Sequence, residues 1–473
     1  MIDAISLKAA IIDLAMSGKL SSDFCATDSA TEIVSSLPPV SSKREKLLSQ
    51  SFDYGKQFSI PEHWRWVPLG EISSYGDTPE KAYYSDVTSD TWILDLEDIK
   101  AGGEIIEKTR AEKKKFIGDK TVFKKGQILY SKLRPYLKKI LVADEDGVST
   151  PELIAFDTYG GILPQYIVYC LLSSYVDRAI DKRSYGVKMP RIDAGFMVNL
   201  PIPLPPISEQ RFIVDRVEKV FSQISIIDTL QSQYQDNLAT LKSKIIDAGI
   251  QGKLTEQLPE DGTAEDLYQQ IQQERKKQEE CGKIKKEDLF PDIEDQSIPF
   301  SVPNTWLWTY LGNVSYIVRG GSPRPIKQYI THDADGINWI KIGDVEKGGK
   351  YIYHTNERII PEGEKKSRRV YPGDFLLTNS MSFGRPYISQ IEGCIHDGWL
   401  LIRNLNGFDP DYLYYLLSSS YLYGQFTEKA SGSTVDNLNI DKVKSAMIPL
   451  PPLAEQKRIV AKLEELLPLC EGK

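Results

Sequence analysis

Apolar residues recur in alternating steps of four and three along residues 204–254, LPPISEQRFIVDRVEKVFSQISIIDTLQSQYQDNLATLKSKIIDAGIQGKL. The series runs Ile213, Val217, Val220, Ile224, Ile227, breaks at polar Gln231, and resumes at Tyr234, Leu238, Leu241 and Ile245. That is one unbroken heptad register, with Gln231 on the seam. It predicts a helix of roughly 40 residues, about 60 Å long. Pro205 and Pro206 end whatever precedes it. Ser208 is the expected N-cap, Glu209 suits the positive first turn, and Gly249 and Gly252 supply the stop. Such a stripe needs a partner, because helix stability comes mainly from packing. Taken alone, the stretch reads as an ordinary coiled coil.

Both halves of this helix recur elsewhere in the chain. Residues 7–20, LKAAIIDLAMSGKL, match residues 241–254, LKSKIIDAGIQGKL. Residues 448–456, IPLPPLAEQ, match residues 202–210, IPLPPISEQ, and open a C-terminal stripe at Ile459, Val460, Leu463 and Leu466 or Leu467. A third box repeats as well. Phe58, Pro61, Trp64, Trp66 and Leu69-Gly70 answer Phe300, Pro303, Trp306, Trp308 and Leu311-Gly312. The tryptophans are expected to plug a core where the chain enters each domain.

Between the boxes, short β-type runs broken by Gly and Asp appear at residues 91–96, 127–130, 137–142 and 152–156. Residues 164–183 and 410–427 read as matched helices with Pro in the first turn, and Thr263 caps a helix from Ala264 to Glu280. Asp98 with Gly102-Gly103 matches Asp344 with Gly348-Gly349, and residues 126–130 match 373–377. Arg134-Pro135-Tyr136 is matched to Arg385-Pro386-Tyr387, and residues 185–188 to Ser431-Gly432-Ser433-Thr434. The expected fold class is α+β: two similar mixed α/β domains separated by long antiparallel coiled-coil helices with pseudo-two-fold symmetry. The expected boundaries are a half-helix 1–20, a connector 21–57, domain one 58–206, the central helix 207–254, a charged connector with a helix 255–299, domain two 300–452 and a half-helix 453–473. The order half-helix, domain, whole helix, domain, half-helix is that of two tandem copies closed into a ring. It places both termini beside the middle of the central helix.

Composition narrows this only a little. The net charge of −8 does not advertise nucleic acid, so any polyanion surface must be local. One tract fits: Lys113, Lys114, Lys115, Lys120, Lys124, Lys125, Lys132, Arg134, Lys138 and Lys139, opposed within it only by Asp119 and interleaved with Phe116, Tyr130 and Tyr136. A charge run of this kind is otherwise a solvated face. Lys365, Lys366, Arg368 and Arg369 fall at the matching place in the second half. The five cysteines are scattered, without a CxxC, which suits a reducing cytoplasm and no metal site. No run is long enough to span a bilayer, and the apolar stretch at residues 9–15 lacks the basic flank of a targeting signal.

The repeated IPLPPISEQ/IPLPPLAEQ box opening a helix, the GKL box closing one and the repeated P-x-x-W-x-W…LG box resemble the specificity subunits of type I restriction–modification systems (the HsdS family). The resemblance covers essentially the whole chain. It implies that each variable domain reads one half of a split, asymmetric double-stranded DNA site. It also implies that the helices act as a ruler and dock two methyltransferase subunits, that S-adenosylmethionine sits on those subunits and no cofactor on this chain, and that restriction/translocase subunits complete the complex. Relative to members with a full second C-terminal helix, the helices here are circularly permuted, and the middle of the second copy is missing.

From the residues, the candidate DNA contacts are Lys113, Lys114, Lys115, Lys132, Arg134, Tyr136, Lys188 and Arg191 in the first domain. Those in the second are Lys365, Arg368, Arg369, Arg385, Tyr387, Ser433 and Thr434. Some would hold phosphates, which fix register without reading sequence. No Gly-x-x-x-x-Gly-Lys-Ser/Thr loop, no Asn/Asp-Pro-Pro-Tyr/Phe methylase box and no convincing nuclease core is present, so a non-catalytic subunit is expected. The alternative is a protein-interaction scaffold with duplicated domains on a coiled coil.

Overall fold

The computed structural model describes residues 2–55, 57–181, 190–346, 348–379, 384–428 and 438–471, with the backbone alone at 295 and 428. It divides into two mixed α/β units, Met1–Ser232 and Gln233–Lys473. The division falls inside the central helix, Ile207–Ile250. Ser208 is not its N-cap. The prolines let helix begin at once, so Ser208 lies in the first turn and donates through both its backbone N–H and its hydroxyl to Asp28. Asp28 belongs to the expected connector, which is more ordered than its composition suggests. It carries helices Ala30–Ser35 and Ser42–Leu48, capped by Ser29 and Ser41.

In the first unit, helix Ala4–Met16 runs antiparallel to the first half of the central helix. Gln231 accepts from the Ile2 N–H at 2.6 Å and donates to its carbonyl at 3.1 Å. Lys8 reaches Ser225 at 3.1 Å, and Phe24 stacks on Phe212 at 4.8 Å. The polar interruption of the heptad thus marks where the N-terminal helix begins. In the second unit, helix Leu453–Leu466 runs antiparallel to the second half. Thr255 bonds Glu455 at 2.9 Å, Gly249 faces Ile459 and Leu463, and Lys242 pairs with Glu471 at 3.4 Å.

The helices expected over 164–183 and 410–427 are each broken. The first is Pro164–Leu172 then Ser174–Asp181, and the second Pro410–Ser418 then Ser420–Glu428. The Asp of the repeated Ile-Ile-Asp triplet occupies each break. Asp13 accepts from the Ser174 N–H at 2.9 Å and Asp247 from that of Ser420 at 3.1 Å. Each starts a second helix, as an N-cap from another segment would. The helix Ala264–Glu280 is found as expected, with the Thr263 hydroxyl accepting from Asp266 N–H.

Among the described residues, each unit has three sheets. A two-stranded ribbon joins Arg65–Pro68 to Pro201–Leu204 in the first, and Leu307–Tyr310 to Met447–Leu450 in the second. An inner sheet contains Ile140–Val142, Ile128–Ser131 and Leu153–Phe156, answered by Pro386–Ser389, Phe375–Thr378 and Trp399–Asn404. An outer sheet contains Lys120–Phe123, Gly147–Ser149 and Trp92–Leu94, answered by Arg368–Val370, Gly393–Ile395 and Ile337–Ile340. In each outer sheet the last two strands are parallel. The main core of each unit combines its inner-sheet side chains with its helices. Ile12, Ile213 and Val217 contribute in the first, and Ile250, Ile459 and Leu463 in the second.

Candidate nucleic-acid interface

The sequence boxes converge on one junction in each unit. Gly18 has φ +71°, and a Cβ there would stand 2.4 Å from Pro61 Cγ. Gly252 also has φ +71°, with a Cβ 2.6 Å from Pro303 Cδ. Only glycine fits both constraints, which ties the GKL box to the P-x-x-W box. Trp64 and Trp306 are buried plugs, as expected. Their indole N–H groups donate to the buried carboxylates of Glu209 at 2.9 Å and Glu455 at 2.8 Å. Ser21 bonds the other oxygen of Glu209 at 2.6 Å, and Gln257 that of Glu455 at 2.7 Å. Gln210 and Gln456 accept from Leu163 and Asp409 N–H and donate to Pro205 and Pro451 carbonyls. The Glu-Gln of each IPLPP box is therefore a buried bracket between helix and domain.

A second repeated bracket has no visible sequence box. Arg44 Nη1 donates to the carbonyls of Gly70 at 2.9 Å and Ser73 at 2.5 Å. Arg275 Nη2 donates to those of Gly312 at 2.7 Å and Ser315 at 3.0 Å. Sequence reasoning missed both arginines, because the helices carrying them share no spacing or pattern.

On this frame, the basic tract proves largely neutralised from within. Burial disfavours the charge on Lys114, yet hydrogen bonds to Asp95 at 2.9 Å and Glu97 at 3.1 Å raise its pKa well above the usual range. Lys120 also binds Asp95, Lys132 lies 3.8 Å from Glu152, and Arg191 lies 3.1 Å from the same carboxylate. Lys138 binds Asp177 at 2.6 Å and Lys139 the Leu96 carbonyl at 2.6 Å. Lys113 and Lys115 are exposed and make no ion pair among the described residues.

Arg134 and Lys138 bracket the short turn Pro135–Leu137, each at φ +50°, a strained setting for non-glycine residues. The turn lifts Tyr136 into solvent, 57% exposed. Arg134 lines a groove of about 570 Å³ with Asp95, Glu97 and Thr150, and its buried Nε has no hydrogen-bond partner among the described residues.

In the second unit, Lys365 and Arg368 are exposed, while Arg369 is tied to Glu392 at 2.8 Å and Glu364 at 3.3 Å. Arg385 is exposed at the start of strand Pro386–Ser389. Tyr387 is a correction. It is 3% exposed and packs edge-on to Trp399 at 5.8 Å, so its ring is a core element rather than a surface contact. The two Arg-Pro-Tyr triplets are not equivalent either. Strand pairing aligns Leu376↔Tyr387 with Leu129↔Leu141, so Tyr387 answers Leu141 and not Tyr136. The matched Gly126 and Gly373, at φ +90° and +92°, share their backbone conformation, and the matched turns closed by Asp98 and Asp344 share their hydrogen bond, at 2.8 Å in each. Lys188, Ser433 and Thr434 lie outside the described residues. No cluster of potential metal ligands and no helix long and apolar enough to cross a membrane occurs among the described residues.

Residues 61–234 and 304–470 match the family described as the type I restriction modification DNA specificity domain. Among curated relatives, the chain is 24% identical to the type I restriction enzyme EcoEI specificity subunit of Escherichia coli. It is 22% identical to the EcoAI specificity subunit of the same organism. Each alignment spans 98% of this chain and 89% of the relative. Among solved structures, a chain from a study of complex assembly and conformational transition of the type I R-M system shares the fold. Its TM-score is 0.62 at 21% identity, over 88% of this chain and 92% of that one.

Proposed function

The chain belongs to the type I restriction modification DNA specificity family, and from that premise we propose that each unit reads one half of a bipartite, asymmetric site in double-stranded DNA. The observation that carries this reading is the contrast within each unit. The Trp64–Glu209 and Trp306–Glu455 junctions repeat closely, while the exposed cations do not: Lys113 and Lys115, with half-buried Arg134, in one unit, Lys365, Arg368 and Arg385 in the other. A constant frame with different exposed groups is what two different half-sites require. In this reading some of these cations, and Tyr136, meet phosphates and others meet base edges.

The antiparallel helix pairs form a pseudo-two-fold ruler in this proposal, and their exposed apolar faces dock two methyltransferase subunits. In the first unit, Ile2, Ile5, Ile226, Ile227 and Leu230 are exposed; in the second, Tyr234, Leu241 and Leu469 are. S-adenosylmethionine is carried by the methyltransferase subunits, restriction/translocase subunits join them, and this chain contributes recognition without catalysis.

Methylome sequencing of a host with and without the chain tests the reading directly. A bipartite methylated motif that vanishes on deletion is expected, and an unchanged methylome overturns it. Inserting one heptad between Ile224 and Leu238 lengthens the helix by about 10 Å. The spacer of the motif is then expected to lengthen, or recognition to be lost, while the bases of each half stay the same. Altered bases at fixed spacing would refute the ruler. If the chain is instead a protein scaffold, binding to DNA in the presence of methyltransferase would be blind to sequence.

A further inference from the structure

The loop between strands Thr109–Arg110 and Lys120–Phe123 alternates between anchored and free side chains. Ala111 is buried, and its carbonyl accepts from the Tyr84 hydroxyl at 3.0 Å. Lys114 is fixed to Asp95 and Glu97. Phe116 packs edge-on to Tyr84 at 5.4 Å, with the Lys120 ammonium 5.3 Å from its ring. Asp119 closes the loop on Lys81 at 2.5 Å. Between these anchors Lys113 and Lys115 point to solvent, and Ile117 is fully exposed at 104%. Gly118, at φ +86° and with open space around it, supplies the left-handed step that turns the loop back. The exposed isoleucine is therefore held out by a pinned backbone, beside two cations that no carboxylate among the described residues claims.

An isoleucine offers a phosphate nothing. What it can meet on a duplex is the apolar part of a base, a thymine methyl or the face of a partly opened step. We propose that Ile117 is a specificity-determining residue: it contacts bases in the half-site read by the first unit, while Lys113 and Lys115 hold the flanking phosphates. This rests on the DNA-reading function proposed above and names the contact that function uses. Among the described residues of the second unit, no isoleucine is exposed. Pairing of Phe123↔Gly147 and Val370↔Gly393 aligns the two outer sheets. By residue count, the position of Ile117 falls at Glu364, which lies in the short helix Pro361–Glu364 and is bound to Arg369 at 3.3 Å.

The test uses the full chain assembled with its methyltransferase subunits. Three duplexes of equal length are compared: the motif mapped by methylome sequencing, and the same duplex with one or the other half scrambled. Ile117→Ala is expected to weaken binding to the intact motif about ten-fold, the size of one lost base contact. It should leave the duplex scrambled in the first unit's half unaffected, and leave the salt dependence unchanged. Discrimination at the other half should persist. Lys115→Ala is expected to weaken binding to all three duplexes and to lower the salt slope by about one. Ile117→Leu should restore binding, and a thermal midpoint equal to wild type is expected for a side chain with no packing. Wild-type affinity in both Ile117→Ala and Ile117→Glu overturns the proposal, as does an equal loss on every duplex. A wild-type complex that fails to distinguish the duplexes refutes instead the DNA-reading function itself.

Discussion

The two outer sheets share four strands in the same order and differ at their edges. In the first unit, Lys81–Ala82 pairs with Lys120–Phe123 and covers it, so Thr121 is 3% exposed. In the second, the corresponding strand Arg368–Val370 ends the sheet, and Arg368, at the place of Thr121, faces solvent. The extra strand goes to the opposite side: Thr109–Arg110 ends the sheet beside Trp92–Leu94, whereas its counterpart Glu357–Ile359, beside Ile337–Ile340, is followed by Ile330–Thr331. The junctions beneath, by contrast, repeat the tryptophan–glutamate bond and differ only around it, where His63 joins Glu209 and Gln257 joins Glu455, each at 2.7 Å. The difference at these edges leaves the Trp–Glu bracket untouched. An open edge normally invites unwanted pairing, and an exposed arginine discourages it. Arg368 can thus guard the edge and meet DNA at once.

The comparison is broken most severely at the junction. Glu209→Ala removes the acceptor for the Trp64 and Ser21 donors, and Glu455→Ala that for Trp306, Thr255 and Gln257. Leaving such buried donors unmet costs about 3 kcal/mol in each case. Hydrogen exchange should show each loss confined to its own unit. If one substitution is silent, the brackets are alike in geometry and not in energy. A smaller effect is expected from Asp13→Ala and Asp247→Ala, about 1 kcal/mol each by loss of a cap. Its signature is fraying at the start of Ser174–Asp181 or Ser420–Glu428, read by exchange at Ser174 and Ser420.

These same residues show what was legible in the chain. The heptad and the repeated boxes gave the central helix, its two antiparallel mates and the tryptophan plugs, because each depends on local periodicity or on a residue pair with one steric solution. The Ile-Ile-Asp triplet was visible, but its purpose lay in a helix break some 160 residues away, at Ser174. Arg44 and Arg275 were hidden because a guanidinium can reach two carbonyls from unrelated helices, leaving only the receiving Leu-Gly pairs as a trace. The basic tract misled in part. Its lysines look unopposed along the chain, yet Asp95, Glu152 and Asp177 reach them from other strands and helices. Tyr387 misled through a chance repeat of Arg-Pro-Tyr, which strand register separates.

The finest difference between the units is one imidazole. His396 lies at the end of Gly393–Ile395, where the first unit has Thr150 after Gly147–Ser149. Its Nδ1 accepts from the Gly398 N–H at 2.8 Å, and its Nε2 lies 3.2 Å from the Ile342 N–H. A second ring proton would set N–H against N–H at the shorter contact. Burial lowers its pKa below the ordinary 6.5, Lys341 adds to this, and Asp397 and Asp344 oppose it without prevailing. In the unfolded chain the ring titrates near 6.5, so unfolding takes up a proton below that pH. The stabilisation is present in full above 6.5 and is lost as pH falls through the folded-state value. Exchange corrected for intrinsic rates should therefore show protection of Ile337–Ile340 and Gly393–Ile395 falling between about pH 7.5 and about pH 5.5. The matched strands Trp92–Leu94 and Gly147–Ser149 should hold. His396→Thr, which installs the first unit's residue, should abolish the difference. Equal pH sensitivity in both outer sheets, or sensitivity that survives the substitution, would assign the effect to the shared frame and not to the imidazole.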